Sequence, residues 1–405
     1  MTEGKGRGRE ADVVVVGGGY SGVMAANRLT QREDVTVTMV NPRPQFVERV
    51  RLHQLLGGSD DAVADYREVL AEDIRLVVDT VTGIDRAERR VTLEAGDSLR
   101  YDYLIYAVGS GSADGGVPGA AEFTLSMASL EEAQRLRAVL DEISAATPVT
   151  VVGGGPLGIE VAAELAELGR AVTLVCGESL CPYLHPRGRR SVTKGLARLG
   201  VTVLEGPGTM VNSVTRDAVN LGDGRAIANT MTIWTAGFGV PGLAGISELS
   251  TDYVGRLLTD ETLTSVDDDR IVATGDAAAP SGVPLRMSCQ AALPLGSHAA
   301  DTVLSRIAGQ EPTAFDRGIA AMCVSLGRRA GVFQFAHRDD TAMRLHLKGR
   351  LGAKMKEAAC KSPVKQLVEE AHRPGTHKWM VKDAKRRQRV QAMQDGPLAK
   401  PVGQA

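Results

Sequence analysis

Several features that would narrow the function are missing from this chain of 405 residues. Aromatic side chains make up only 4% of it, and no apolar run approaches the roughly 18 residues that a membrane-spanning helix needs. The formal net charge is −2, so the whole molecule has no polyanion-binding character and we expect no nucleic-acid partner. Five cysteines at irregular spacing argue against a disulfide framework, and residues 1–10 lack the apolar core of a secretory signal. We therefore predict a cytoplasmic protein.

Glycine, in contrast, occurs in two matching patterns. The pattern G-x-G-x-x-G spans residues 17–22 and again residues 153–158. Each copy follows an apolar strand, at 13–16 and 149–152, and precedes an alanine-rich stretch that is typical of a helix. In that context the backbone N–H groups and the helix N-terminus can hold a pyrophosphate. One copy is a weak signal, but two copies predict two dinucleotides and a redox relay between them.

The order of the segments predicts the domain organisation. A strand, glycine turn, helix and strand at the start are followed by short strands, a glycine-rich connector and a second such unit. A later apolar strand ends in Gly-Asp, which suggests that the second nucleotide domain is inserted into the first. We predict an α/β chain with two Rossmann-like domains: 11–117 and 239–320 form the first, 118–238 the second, and 321–405 a helical, basic C-terminal extension.

The residue at the end of the strand after each glycine turn distinguishes the two sites. An acid is typical there when the turn binds NAD, because its carboxylate accepts hydrogen bonds from the ribose. The first site has Asn41 instead, which is uncharged and leaves FAD open. The second has Cys176, with Glu178 two residues on. A carboxylate at Glu178 would repel a 2′-phosphate, so we favour NADH over NADPH there.

Four motifs in order give the chain a family resemblance. They read GGGYSG at 17–22, YDYLIYAVG at 101–109, GGGPLGIE at 153–160 and TGDAA at 274–278, and TMTIWTAG at 230–237 looks like the return crossover. Residues 11–310 thus resemble the FAD/NAD(P)-dependent pyridine nucleotide oxidoreductases, flavoproteins with two dinucleotide-binding domains and a glutathione-reductase-like fold. Within them the chain is most similar to type II NADH dehydrogenase-like enzymes. The resemblance implies FAD at the first glycine turn, NAD(P)H at the second, and Asp276 on the ribityl chain of the flavin.

These arguments assign residues to each cofactor and none to a metal. The residues predicted to contact FAD are Gly17, Gly19, Tyr20, Ser21, Gly22, Asn41, Arg43, Arg51, Val81, Ala107, Gly109, Gly275, Asp276 and Gln290. Those predicted to contact NAD(P)H are Gly153, Gly155, Pro156, Leu157, Gly158, Glu178 and Gly237. For Arg51, as for the neighbouring Arg49, a solvated face is the alternative.

The segment after the first ribose site, residues 41–54, has no cysteine. Disulfide reductases of this architecture carry a Cys-x4-Cys pair there, and the pair in this chain, Cys176 and Cys181, follows the second glycine turn instead. Electrons would therefore pass from the flavin directly to a small acceptor, and the resemblance implies a quinone or a quinone-like aromatic compound. A flavin-dependent oxidoreductase or oxidase acting on another small organic substrate or on O2 is the alternative. A flavin-bound redox sensor is a third interpretation.

Three side chains are the catalytic candidates. His53 is predicted as a proton donor near the isoalloxazine, with a structural histidine that has its own partners as the alternative. Glu160 is predicted to line the nicotinamide pocket, or to act as a charge at a helix N-terminus. Gln290 falls where similar enzymes carry a glutamine near flavin and nicotinamide. Cys289 and Cys323 lie near the flavin on position alone, and we interpret both as structural thiols.

The C-terminal region is rich in lysine and arginine. Apolar residues recur near helical spacing from 343 to 368 with lysines between them, while glycine and proline interrupt the apolar face. Type II NADH dehydrogenases use such helices to sit on membranes, so the resemblance implies peripheral membrane contact. The alternative is packing of these helices on the FAD domain, or on a second copy of the chain in a homodimer.

Overall fold

The computed structural model describes residues 11–395. Its strands are β1 (Ala11–Val16), β2 (Val35–Asn41), β3 (Gln45–Val47), β4 (Val63–Asp65), β5 (Arg75–Val78), β6 (Val81–Asp85), β7 (Arg90–Leu93), β8 (Ser98–Arg100), β9 (Tyr103–Tyr106), β10 (Gly111–Ser112), β11 (Leu125–Ser126), β12 (Val149–Val152), β13 (Val172–Val175), β14 (Thr202–Leu204), β15 (Val211–Val214), β16 (Ala218–Leu221), β17 (Ala226–Ala228), β18 (Thr232–Trp234), β19 (Phe238–Gly239), β20 (Leu257–Thr259), β21 (Ile271–Ala273), β22 (Ala278–Pro280), β23 (Ala321–Ser325), β24 (Gly331–Ala336) and β25 (Ala342–Lys348). Its helices are α1 (Tyr20–Leu29), α2 (Leu52–Leu56), α3 (Tyr66–Val69), α4 (Ala120–Phe123), α5 (Leu130–Glu142), α6 (Pro156–Glu167), α7 (Pro186–Arg198), α8 (Leu243–Ile246), α9 (Cys289–Ile307), α10 (Gly349–His372) and α11 (Arg386–Asp395).

The first nucleotide domain is built on a parallel sheet in the order β21–β9–β1–β2–β5. Residues 13–16 of β1 are all buried valines, as a strand covered on both faces requires. Helix α1 connects β1 to β2 and packs against α9. This contact is so close that a Cβ added at Gly296 of α9 would lie 2.4 Å from the backbone oxygen of Ser21. The turns after β1, β9 and β21 also meet there, since a Cβ at Gly17 would lie 2.3 Å from the Ala107 oxygen and one at Gly275 2.4 Å from Ser21 Oγ.

The second nucleotide domain repeats this design with a parallel sheet in the order β11–β18–β12–β13–β14. All five strands lie between β9 and β21 in sequence, so the second domain is inserted into the first as predicted. Helix α5 begins with the capping box that Ser129 and Glu132 predict: the Glu132 N–H donates to Ser129 Oγ at 3.2 Å, and the Ser129 N–H donates to the Glu132 carboxylate at 2.9 Å. The predicted fold class is confirmed, and the predicted domain boundaries stay predictions.

The C-terminal region differs from the helix that its apolar spacing predicts. Residues Ala342–Lys348 form β25, which pairs antiparallel with β24 in the meander β23–β24–β25. The prediction of helix from residue 343 is therefore wrong up to Lys348. The alternation of Met343, Leu345 and Leu347 also fits the period of two of a strand, and tertiary pairing decides between the two. Residues 396–405 of the predicted extension lie outside the described residues.

Helix α10 packs on α1 and across the meander. Its buried residues include Gly352, Cys360, Pro363 and Leu367, which recur at helical spacing. At its end the buried carboxylate of Glu370 accepts hydrogen bonds from Arg28 at 3.2 Å and from the Gly375 N–H at 2.7 Å. Of the alternatives for this region, packing on the body is what the structure shows for the buried face of α10.

Candidate functional site

The first glycine turn is tightly closed on one side and open on the other. A Cβ added at Gly22 would lie 1.9 Å from the Gly17 oxygen, whereas one at Gly19 would meet nothing within 4 Å. The Gly18 N–H donates to Asn41 Oδ1 at 3.0 Å, so the predicted ribose residue also braces the turn. Gly19 is the N-cap of α1 and gives it no side-chain cap. The N–H groups of that helix turn therefore suit a pyrophosphate.

The second glycine turn has the same geometry. A Cβ added at Gly158 would lie 1.9 Å from the Gly153 oxygen, and one at Gly155 would meet nothing within 4 Å. Gly155 caps α6 without a side-chain hydrogen bond, and Pro156 occupies the first helical position. This turn also fits the phosphates of a dinucleotide. Leu157 lies within this turn, and Gly237 follows β18 at φ +80°.

The ribose end of the second site has an exposed carboxylate. Glu178 lies two residues beyond Cys176, at the carboxyl edge of the second sheet. The nearby Glu205 is held by the Leu180 N–H, which donates to its carboxylate at 2.7 Å. Cys176 and Cys181 are free thiols, and burial raises the pKa of each to about 12. They fit the interpretation of two small structural residues.

Asp276 lies where three elements of the first domain meet. Its carboxylate accepts a hydrogen bond from Ser110 Oγ at 2.7 Å, and Arg49 lies 3.9 Å from the same oxygen. Ser110 follows Gly109 after β9, and Asp276 follows β21, so two strand ends supply the cluster. Gly275 permits the approach, since a Cβ there would lie 2.4 Å from Ser21 Oγ. The sequence predicted Asp276 and missed its partners Ser110 and Arg49.

Other predicted flavin contacts are engaged elsewhere in the protein. Arg43 forms a bidentate ion pair with Glu131 at the start of α5, across the two domains. Arg51 is buried and bonded to Glu48 and Glu357, each at 3.1 Å. Burial alone would lower the pKa of Arg51, but these carboxylates raise it. Val81 begins β6 and Ala107 follows β9, both buried. For all four, flavin contact stays a prediction.

A buried polar cluster joins α2, α6, β23 and α10. Glu160 of α6 accepts hydrogen bonds from Lys356 Nζ of α10 at 2.9 Å and from the Ser325 N–H of β23 at 2.9 Å. His53 Nδ1 of α2 lies 3.5 Å from the other carboxylate oxygen. Burial alone would raise the pKa of Glu160, but the Lys356 ammonium holds it below its ordinary value. Burial would lower the pKa of Lys356, but Glu160 raises it well above its ordinary value. The pair is therefore ionised.

His53 itself is 1% exposed and has partners on both ring nitrogens. Its Nε2 lies 3.3 Å from Ser325 Oγ, opposite the contact with Glu160. Burial lowers its pKa to about 4, so the imidazole is neutral at pH 7. These contacts fit the alternative that His53 is a structural histidine with its own partners. A catalytic role for His53 stays a prediction.

Gln290 and Cys289 form the start of α9. Gln290 Oε1 accepts the N–H groups of Ala320 at 2.9 Å and Ala321 at 3.4 Å, which ties α9 to the entry of β23. The N-cap of α9 is Ser288, whose hydroxyl accepts the Ala291 N–H at 3.2 Å. Gln290 thus links the turn that follows Asp276 to the strand that carries Ser325.

Sequence reasoning missed the role of Lys356. The sequence places this lysine in the basic C-terminal region. In the structure, the inner face of α10 is shared by Gly352, Lys356, Cys360, Pro363 and Leu367. A lysine on a face otherwise made of small and apolar residues is the signal that could have identified a buried cation. No group of three or more metal-ligating side chains occurs between residues 11 and 395.

Comparison with known proteins defines the class. A sequence model of the pyridine nucleotide-disulphide oxidoreductase family matches residues 11–296. An NADH dehydrogenase-like protein of Mycobacterium tuberculosis is 31% identical over 331 residues, which cover 74% of this chain and 81% of the relative. The chain belongs to the pyridine nucleotide-disulphide oxidoreductase family. This confirms the resemblance, the FAD-dependent oxidoreductase class and the cofactors FAD and NAD(P)H.

More distant matches agree in fold and overall size. A type II NADH:quinone oxidoreductase of M. tuberculosis is 28% identical over 365 residues, 77% of this chain and 78% of the relative. Among solved structures, sulfide:quinone oxidoreductase of Aquifex aeolicus superposes with a TM-score of 0.75 at 20% identity, covering 90% and 93% of the two chains. The NDH2 of Plasmodium falciparum in complex with NADH gives 0.73 at 15% identity, covering 91% and 99%. At these identities the structures support the fold alone.

Proposed function

We propose that this chain is an NADH dehydrogenase that passes a hydride from NADH to FAD and two electrons on to a quinone-type acceptor. The observation that carries the proposal is the pair of matching open glycine turns, one on each of two parallel sheets. The segment after the first turn's ribose position, residues 41–54, contains no cysteine. Bound FAD supplies the two-electron chemistry. The protein holds both dinucleotides, orients the acceptor and supplies protons.

In this proposal each sheet edge holds one cofactor. The turn at 17–22 takes the pyrophosphate of FAD, and Asp276 with Ser110 binds the ribityl hydroxyls. The turn at 153–158 takes the pyrophosphate of the nicotinamide dinucleotide. Glu178 lies exposed beyond it, where a second negative charge is disfavoured. The site therefore favours NADH, whose ribose has no 2′-phosphate, over NADPH.

Lys356 is the residue we assign to the acceptor. A quinone gains negative charge on its oxygens as it accepts electrons, and a buried ammonium stabilises that charge far better than an exposed one. Glu160 keeps Lys356 protonated, while the Ser325 N–H and neutral His53 fix the carboxylate. The cluster thus holds a proton and a positive charge next to the strand β23 to which Gln290 is tied. NADH, one proton and the quinone would give NAD⁺ and the hydroquinone.

The basic face is the surface that we assign to a partner. It consists of residues 182–204 and 341–356, two segments without aspartate or glutamate, joined by a 3.0 Å hydrogen bond between Ser191 and His346. Its exposed cations are Arg187, Arg190, Lys194, Arg198, Arg344, Lys348, Arg350 and Lys354. Leu345 and Leu351 are exposed among them, at 59% and 53%. Charge and apolar side chains on one face are typical of proteins that lie on a lipid surface.

We propose that the basic face rests on an anionic membrane. Each lysine or arginine near such a surface contributes about 1 kcal/mol of binding free energy. No helix within residues 11–395 is long and apolar enough to cross a bilayer. Leu351 and Lys354 lie on α10 just before Lys356, so an acceptor dissolved in lipid would have a short way to the buried cluster. A homodimer stays a prediction.

Sedimentation with lipid vesicles tests the membrane proposal. We expect binding to vesicles that contain anionic lipid, weakened by salt, and little binding to zwitterionic vesicles. The double variant Leu345→Ser/Arg350→Glu should lose most of this binding. The exposed Arg225→Ser, in a turn of the second domain, is the matched control and should bind normally. Equal binding by the wild type and the double variant would contradict the proposal.

Anaerobic steady-state kinetics tests the function. The purified holoenzyme should oxidise NADH rapidly when a water-soluble quinone is present and slowly without it, and NADPH should be the poorer donor. Rapid reduction of the flavin by NADH without turnover of any quinone would contradict the proposal and favour the sensor interpretation. Oxidation of NADH that depends on O2 alone would favour the oxidase alternative.

A further inference from the structure

Three glutamates follow one another along one face of α6. Glu160, Glu164 and Glu167 are spaced by four and then three residues, so each is a neighbour of the next on the helix surface. Glu160 and Glu164 are buried, at 5% and 3% exposure, whereas Glu167, the last residue of the helix, is exposed. The row therefore runs from the surface inward to the carboxylate that binds Lys356.

The hairpin of β23 and β24 contacts all three carboxylates. The Ser325 N–H donates to Glu160 Oε1 at 2.9 Å, and the Arg328 guanidinium forms an ion pair with Glu164 Oε1. The Arg328 N–H donates to the Glu167 carboxylate at 2.8 Å. One side of the row is thus covered by backbone groups and by an arginine side chain that is 35% exposed.

Helix α2 lies along the other side of the row. His53 Nδ1 lies 3.5 Å from Glu160 Oε2, and a Cβ added at Gly57 would lie 2.6 Å from Glu164 Oε2. His53 and Gly57 are four residues apart, as are the two glutamates, so the two segments match turn for turn. Both carboxyl groups therefore have one oxygen toward α2 and the other toward the hairpin.

The surroundings of Glu164 allow it to take up and release a proton near neutral pH. Burial raises its pKa to about 7, although the Arg328 cation acts in the opposite direction. The carboxylates of Glu167 and Glu160 on the same helix also raise this pKa. On the side of α2, Arg137 of α5 is bonded to the carbonyl groups that end this helix. A group that changes protonation near the working pH suits proton transfer.

We propose that Glu167, Glu164 and Glu160 form a proton relay that carries one proton from water to Lys356 in each turnover. The inference rests on the proposed function. A hydride from NADH supplies two electrons and one proton, whereas a quinone takes up two electrons and two protons. The second proton therefore comes from water, and the buried Lys356 needs a route by which to receive it.

The relay is balanced over one turnover. The Lys356 ammonium gives a proton to the acceptor oxygen and becomes an amine. Glu160 receives a proton from Glu164 and passes it across the 2.9 Å contact to Lys356 Nζ. Glu164 regains its proton from water through Glu167. Glutamates one turn apart have Cβ atoms about 5–6 Å from each other, a span that side-chain rotation or one bridging water closes.

Stopped-flow spectroscopy of the holoenzyme tests the proton relay. The flavin is reduced with NADH under anaerobic conditions, and its reoxidation by tetramethyl-1,4-benzoquinone is then followed as a function of pH. In the wild type the reoxidation rate should fall as the pH rises above about 7, because the acid form of Glu164 is lost. Glu164→Gln should be at least about tenfold slower near pH 6 and should lack this fall, while flavin reduction by NADH stays unchanged.

Three variants change Glu164 or its surroundings and keep a carboxyl group in place. Arg328→Met removes the cation that lowers the pKa of Glu164, so the fall in rate should move upward by about one pH unit or more. Gly57→Ala, at a φ of −76° that alanine adopts readily, places a Cβ against Glu164 Oε2 and should slow reoxidation alone. Glu164→Asp should recover part of the rate that Glu164→Gln loses. Glu142→Gln, at the exposed end of α5, is the matched control and should change nothing.

The outcomes separate the proton relay from the proposed function and from a structural role. A wild-type rate and pH profile in Glu164→Gln would overturn the relay and leave the proposed function intact. Uniform slowing at every pH, reproduced by Arg328→Met, would show that Glu164 only holds the hairpin and would also overturn it. A wild-type flavin that NADH reduces but the quinone does not reoxidise would overturn the proposed function. Should Glu164→Gln not fold, the pH profiles of the wild type and Arg328→Met give the decision.

Discussion

The two glycine turns are alike in backbone and unlike in surroundings. In each, a Cβ on the last glycine would lie 1.9 Å from the oxygen of the first, and the middle glycine faces open space. The first turn, however, is braced by Asn41, whose side chain accepts the Gly18 N–H at 3.0 Å. The second has Cys176 at the same place, and a Cβ on Gly154 would lie 2.8 Å from its Cβ. In the proposed assignment, the backbone geometry that the two turns share holds a pyrophosphate, and the residues that differ around them select the nucleotide.

The domains also differ in what covers them. Helices α1 and α9 pack on the first sheet, and α10 packs on both of these helices. The second site keeps its ribose end open, with Glu178 exposed. A cofactor that stays bound suits the first arrangement, and a nucleotide that must leave after each turnover suits the second. Each prediction that follows breaks or alters one side of this comparison.

The largest effect on cofactor binding should come from substitutions that fill one glycine turn at a time with a Cβ. Gly22→Ala places a Cβ against the Gly17 oxygen and should give a protein without flavin. Gly158→Ala does the same to the second turn and should keep the flavin while raising the Kd for NADH about 100-fold or more. Flavin absorbance and titration with NADH measure the two effects. Gly245→Ala, where a Cβ meets nothing within 4 Å, is the control and should change neither. Loss of flavin in both variants would contradict the assignment.

A smaller effect should follow from Lys356→Met. The substitution leaves Glu160 buried without its cation, which costs about 3–5 kcal/mol of unfolding free energy. Denaturant unfolding checks the value, and quinone turnover should fall more than flavin reduction by NADH. The double variant Glu160→Gln/Lys356→Met removes both charges and should recover part of the stability. A double variant less stable than Lys356→Met would show that the unpaired charge of Glu160 is not what destabilises Lys356→Met.

The pH dependence of stability reports on His53. Its pKa is about 4 in the folded protein, below the ordinary 6.5, so the unfolded chain binds the proton more readily. The stability that neutral His53 contributes is therefore fully present at neutral pH. It is lost as the pH falls from 6.5 to 4, which lowers the unfolding free energy by roughly 3 kcal/mol. His53→Gln should flatten this part of the unfolding free-energy curve. If the wild type and His53→Gln gave parallel curves of unfolding free energy against pH, His53 would not be a buried histidine that is neutral in the folded protein.

The smallest effect concerns the choice of nucleotide. Glu178→Arg replaces an exposed negative charge by a positive one at the ribose end of the second site. Because the position is exposed, we expect a change of about 1 kcal/mol, or roughly fivefold, in the NADPH to NADH ratio of kcat/KM. Asn41→Asp, at the matching place of the first site, should leave this ratio unchanged. An unchanged ratio in Glu178→Arg would show that other residues select the nucleotide, and Glu205 would be the next to test.

Local chemistry explains what the sequence could predict. The glycine turns, the cap at Ser129 and the Gly-Asp after β21 depend on backbone geometry within a few residues, so their patterns are visible in the chain. The insertion of one domain into the other followed from their order. These are the parts of the fold that the structure confirms.

Contacts between distant segments explain what was missed. Lys356 and Glu160 belong to different domains in sequence, and only the packing of α10 against β23 brings them together. The local spacing of apolar residues predicts a helix where β25 lies. The segment is a strand instead, because its pairing with β24 determines its structure. The ion pair of Arg43 with Glu131 also joins two domains, so the sequence does not indicate it. Such pairings need the tertiary structure.

The most direct test of the account is the flavin spectrum through two anaerobic half-reactions. NADH mixed with the holoenzyme should bleach the flavin, and tetramethyl-1,4-benzoquinone added next should restore it, with Gly158→Ala failing at the first step and Lys356→Met slow at the second. A flavin that NADH reduces but the quinone does not reoxidise would contradict the central claim that the two sites form a relay to a quinone.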